Sequence, residues 1–94
     1  MNKYLKIIAG ATTYYVNVDT ITLADLDAAA PTTECNLVLT NNTNSVQIVG
    51  TDFDANTVNA VTKAMKAAAV SDYTKVVHEV EVPIGQTFTS VQVV

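Results

Sequence analysis

At 94 residues and 10.0 kDa, with 49% apolar and only 15% charged residues, the chain has the length of one domain, residues 1–94. Its hydrophobic content is ample to offset the ordering entropy that leaves charge-rich, apolar-poor chains unfolded. Five lysines, no arginine and nine acids give a net charge of −4, which argues against nucleic acid and anionic membrane as partners: both call for a basic patch, and base reading calls on arginine.

Membrane insertion fails on length, because no apolar run approaches the roughly 18–20 residues of a spanning helix. The opening Met1-Asn-Lys-Tyr-Leu-Lys-Ile-Ile-Ala-Gly-Ala11 imitates a secretion signal. Its apolar stretch, Ile7 to Ala11, is too short for a signal core and ends at Thr12 and Thr13. It reads as a strand. Cys35 is the only cysteine, so no internal disulfide staples the fold and a reducing cytoplasm is the expected setting.

Val, Thr, Ile and Tyr suit pleated, half-buried surfaces. Tyr4–Ala9 and Thr12–Val18 read as two strands of a hairpin turning at Gly10-Ala11. Tyr14, Val16 and Val18 fall on one face of the second strand, Tyr15 and Asn17 on the other. Ile21 and Leu23 form another alternating pair. Residues 24–30 lose the pattern before Pro31 and read either as a short helix or as a loop. Thr33–Thr40 alternates again, with Cys35, Leu37 and Leu39 in phase. Asn41–Asn44 makes a turn, and Ser45–Gly50 returns with Val46 and Ile48 in phase.

The spacing then predicts a helix over residues 55–70. Asp54 is the N-cap, Phe53 and Val58 form a hydrophobic staple, and Val58, Val61, Met65 and Ala68 make an apolar stripe. That stripe is expected to face Leu37, Leu39, Val46 and Ile48. Tyr73–Val82 reads as a long strand carrying Val76, His78, Val80 and Val82 on one face. Pro83–Gln86 breaks it, and Phe88–Val94 is the last strand. The fold class is α+β: an antiparallel sheet of five or six strands with the 55–70 helix packed on one face.

Chemistry-bearing constellations are sparse. His78 is the lone histidine, and its neighbours Glu79 and Glu81 do not complete a catalytic set. A sheet or subunit-contact histidine is the better reading. Cys35 shares the phase of Leu37 and Leu39 and reads as a small core residue. Asp52-Phe-Asp-Ala-Asn56 copies the first half of a calcium loop, but Thr57 stands at the turn glycine and Lys63 at the bidentate glutamate. Two acids capping a helix explain the same residues. Asp25 and Asp27 read equally as paired carboxylates or as a solvated loop. No catalytic, cofactor-binding or metal-ligating residue is assigned.

Apolar residues instead fall on both faces of several strands, as at Tyr14-Tyr15, Leu37-Val38, Val76-Val77 and Val93-Val94. A monomeric sheet with one wet face alternates more cleanly. A bare Val91–Val94 edge would also invite pairing. The expectation is a homo-oligomer, dimer or trimer, with Tyr15, Phe88, Val91, Val93 and Val94 at the contact.

The order of features (Lys3-Tyr-Leu-Lys-Ile7, Val16-Asn-Val-Asp-Thr-Ile-Thr-Leu23, Asn56-Thr-Val-Asn-Ala-Val-Thr-Lys-Ala-Met-Lys-Ala-Ala67 and Tyr73-Thr-Lys-Val-Val77) resembles small β-rich proteins of marine tailed bacteriophages. Asn41–Asn44 replaces the glycine-rich hairpin turn of that group. The resemblance implies a virion or virion-assembly component, present in the host cytoplasm during assembly, that oligomerises and has other virion proteins as partners. The leading expectation is therefore a non-enzymatic structural protein. The alternative is a small-molecule or metal-binding module built on Asp52, Asp54 and Asn56.

Overall fold

The β-branched and aromatic runs form strands and the alanine-rich segment forms the helix. The computed structural model describes residues 3–40, 44–72 and 74–94. In chain order the elements are β1 (Tyr4–Ala9), β2 (Thr12–Asn17), β3 (Ile21–Leu26), β4 (Glu34–Leu39), β5 (Ser45–Thr51), α1 (Ala55–Val70), β6 (Val77–Glu79) and β7 (Thr87–Val93). A single 3-10 turn, Val18–Thr20, joins β2 to β3. The fold is α+β, with one helix packed on sheets.

The single sheet expected from sequence is two. One has the strand order β2-β1-β6 and the other β3-β4-β5-β7. The pairing is also not wholly antiparallel, since β6 lies parallel to β1 with Leu5 opposite His78. A parallel neighbour needs a crossover, which the long excursion through the second sheet and α1 provides. Leu5, Ile7 and Val16 of the first sheet meet Cys35, Leu37 and Ile48 of the second in one apolar cluster. The Gly10 N–H donates to the Phe88 carbonyl at 3.1 Å and ties the first hairpin to β7.

Helix α1 begins at a capping box. The Asp54 carboxylate accepts from the Asn56 N–H at 2.8 Å, and the Thr57 hydroxyl accepts from the Asp54 N–H at 3.2 Å. Its buried residues are Thr57, Val61, Ala64 and Ala68, a stripe turned slightly from the expected one, with Val58 and Met65 half-buried on its flank. The helix lies nearest β3, β6 and β1, not over the β4–β5 face. β3 and β6 are edge strands of different sheets, and α1 packs against both.

Three local departures have physical causes. A bulge between Ile21 and Leu23 in the β3–β4 pairing reverses the alternation, so Ile21 is buried and Leu23 exposed. Ala24–Leu26 completes β3, and the Asp27 side chain then caps a turn by accepting from the Ala29 N–H at 2.8 Å. The long strand expected over 73–82 shrinks to Val77–Glu79. A turn closed by the Lys75 N–H on the Asp72 carbonyl, 3.1 Å, precedes it, and Pro83 follows. The turn expected at Asn41–Asn44 lies, apart from Asn44, outside the described residues, as does Tyr73.

Candidate functional site

Among the described residues, a concavity opens at each edge of the three-stranded sheet. The first is a cleft of about 370 Å³ between β2 and the β5–β7 pair, lined by Tyr14, Tyr15, Val16, Asn17, Val46, Val91, Gln92 and Val93. Tyr15 is 58% exposed and Val93 67%. Val93 pairs with Val46 across the ladder yet stays uncovered where the two sheets part. The fold thus brings Tyr15 beside Val91 and Val93, residues from opposite ends of the chain. Val94 continues this edge, exchanging both backbone hydrogen bonds with Ser45 at 2.9 Å, and is exposed.

Phe88 does not belong to this surface. It is 3% exposed and its ring stands edge-on to Phe53, centroids 5.7 Å apart. The cause is a register shift between Val49 and Gly50 that sets Phe88 opposite Gly50. The missing side chain of Gly50 leaves room for the aromatic pair: a Cβ there would meet the Thr87 carbonyl oxygen and the Phe53 ring.

The second concavity is a groove of about 710 Å³ between α1 and β6. Ala60, Ala64 and Ala67 give it a shallow helix wall, and Lys6, Lys63 and Lys75 share it with Glu79 and Glu81. His78 reaches it from the inner side of β6 and is buried, while Glu79, on the opposite phase of the strand, is exposed at its rim.

The histidine belongs to a helix cap. Its Nε2 lies 3.0 Å from Ser71 Oγ and 3.2 Å from the Lys75 carbonyl. In the tautomer that puts the hydrogen on Nε2, that hydrogen serves the Lys75 carbonyl, which only accepts, and the Ser71 hydroxyl donates to Ala68 O at 3.1 Å. Lys3 Nζ adds contacts of 2.8 Å to Ala68 O and 2.6 Å to Ser71 Oγ. In this tautomer Nε2 is no base for the serine. The helix C-terminus would also oppose an oxyanion, because its dipole end is negative.

The remaining candidates hold structural positions. Cys35 is buried, and burial, with a smaller push from the Asp25 charge, raises its thiol to about 11; a thiol held protonated is a poor nucleophile. Asp54 is taken up by Asn56 N–H and by Gln86 Nε2 at 2.9 Å. Asp52 sits in a left-handed conformation, φ 60°, at the bend between β5 and α1. Among the described residues no group of three His, Cys, Asp or Glu is placed to hold a metal, and no helix is long and apolar enough to cross a membrane.

A polar row absent from the sequence reading crosses the outer face of the four-stranded sheet. Asp27 Oδ2 accepts from Asn36 Nδ2 at 3.3 Å, Gln47 Nε2 donates to Asn36 Oδ1 at 3.0 Å, and Gln92 Nε2 donates to Gln47 Oε1 at 2.7 Å. Gln47 is buried within it. Asn36, Gln47 and Gln92 all occupy outward phases of their strands, which was the available signal. Which strands neighbour one another was not. No protein-family model matches the chain, and neither a curated protein nor a solved structure matches it.

Proposed function

We propose that this protein is a non-enzymatic structural or assembly component that acts by associating with copies of itself. The observation supporting this reading is the apolar cleft at the β2 edge, where exposed Tyr15 and Val93 flank half-buried Val91. A thin core at this chain length gains from association, and contiguous apolar surface of this kind is a recurrent mark of protein–protein contact. The resemblance to small proteins of marine tailed bacteriophages supports a virion component made in the host cytoplasm, with other virion proteins as further partners. A closed dimer or trimer is the expected form, since an open edge contact propagates into fibres.

Sedimentation equilibrium over a range of protein concentrations tests the reading. The unmodified chain is expected to sediment as a multiple of its 10.0 kDa mass, and Tyr15→Ser combined with Val93→Ser is expected to shift the population towards monomer. A 10.0 kDa species throughout the range overturns it.

A further inference from the structure

We propose that the β6 edge is a second self-association site, at which two copies pair antiparallel about a two-fold axis through Val77 and join their three-stranded sheets into one of six. This site is independent of the β2 cleft and lies at the other edge of the same sheet.

The parallel ladder determines which backbone groups are free. The Tyr4 N–H donates to the Val76 carbonyl at 2.7 Å, and the Val80 N–H donates to the Lys6 carbonyl at 2.9 Å. Even-numbered residues of this segment therefore point their N–H and C=O groups towards β1, and the alternation of a strand turns those of Val77 and Glu79 away. Among the described residues nothing pairs with these outward groups. They face the groove, where Ala60, Ala64 and Ala67 leave open volume beside the strand. A row of unpaired donors and acceptors with space alongside is a template for another strand.

Charge selects the occupant. Short, charged edge strands commonly prevent pairing, and a single sign of charge does so by repulsion. Here the signs are opposite and symmetric about Val77, with Lys75 two residues before it and Glu79 two residues after. Antiparallel pairing centred on Val77 sets Lys75 of each copy opposite Glu79 of the other, giving two attractive cross-strand pairs. Val77, 38% exposed, meets its own counterpart at the axis. Centring on Glu79 instead would oppose like charges, so the register is specified too.

The test uses the full chain at low ionic strength. Sedimentation equilibrium is run on the unmodified protein, Lys75→Glu, Glu79→Lys and the Lys75→Glu/Glu79→Lys double variant. Each single reversal turns both cross-pairs repulsive and is expected to weaken association about tenfold or more, and the double variant to restore it. Val77→Pro removes an N–H that no ladder bond uses and is expected to abolish pairing at this edge while the fold persists by circular dichroism. In parallel, amide exchange at Val77 and Glu79 is expected to slow as protein concentration rises. Single reversals that leave association unchanged, or Val77 and Glu79 amides that exchange freely in the associated protein, overturn the proposal. If Tyr15→Ser with Val93→Ser alone disperses the assembly, the β6 site falls and the cleft stands. If that pair leaves a dimer that Lys75→Glu then disperses, the β6 site stands on its own.

Discussion

The Nζ of Lys3 lies 2.6 Å from the Oγ of Ser71, 68 positions further along the chain. The same ammonium reaches the carbonyls of Ala68, Ser71 and Asp72 at 2.8, 2.9 and 3.2 Å. The Ala68 carbonyl belongs to the last turn of α1 and those of Ser71 and Asp72 lie just past its end, where a cation also meets the negative end of the helix dipole. The Lys3 side chain thus helps to cap the C-terminus of α1. Lys3→Met keeps the stem and removes the charge, and is expected to destabilise the fold by about 1–2 kcal/mol. A lowered urea midpoint at unchanged slope checks this, and an unchanged midpoint refutes it.

Gly50 is needed for close approach, not for a special backbone angle. Any Cβ there would collide with the Thr87 carbonyl oxygen and the Phe53 ring, so Gly50→Ala must push β7 off β5 or break the Phe53–Phe88 contact. Overpacking of this kind costs about 1–3 kcal/mol, which for a chain this short lowers Tm by about 10 °C. Thermal melts followed by far-UV circular dichroism test it, and an unchanged Tm would show that the two strands can part freely here.

Much of the local structure was legible in sequence and much of the assembly was not. Asp54 marked the start of α1, and the helix runs over Ala55–Val70 as expected. The period and the cap both lie within a few residues of one another, so nothing distant was needed. The buried stripe, by contrast, includes Thr57. A threonine belongs on that face only because Gln86, 29 positions away, presents Oε1 to its hydroxyl at 2.5 Å. Leu23 broke phase because of a bulge, and Phe88 turned inward because of a register shift; neither irregularity leaves a mark in an apolar alternation. Tyr15, Val91 and Val93 are legible in sequence only as residues expected at a contact between copies. That they share one cleft depends on how the two sheets pack, which alternation does not encode.

Cys35 offers a direct measure of opening. Its side chain is fully enclosed between β3 and β5, and burial holds the thiol well above its ordinary range, at about 11. A thiol reagent at neutral pH is expected to label it at a rate set by unfolding rather than by the reagent's intrinsic reactivity. Labelling should therefore accelerate in step with the denaturant dependence of global unfolding. Rapid, denaturant-independent labelling would mean that the four-stranded sheet opens locally.

Asp27 couples the outer face of that sheet to pH. Its carboxylate is held below the usual value of 3.8, first by the Ala29 N–H and then by the Asn36 amide, with Ala30 adding a weaker contact. The folded state thus favours the ionised form more than the unfolded chain does. The contribution is complete above the unfolded value and is lost as pH falls through it towards the lower folded value. Asp27→Asn keeps an oxygen for the Ala29 N–H and removes the titration, so the variant is expected to be less stable than the unmodified protein near neutrality. As acid is added the two stability curves should converge, because the unmodified chain alone loses this term. Urea midpoints measured from pH 7 down to the acid limb test the sign: a gap that widens on acidification would mean that the Asp27 carboxyl is stabilised in its protonated form, contrary to its hydrogen bonds.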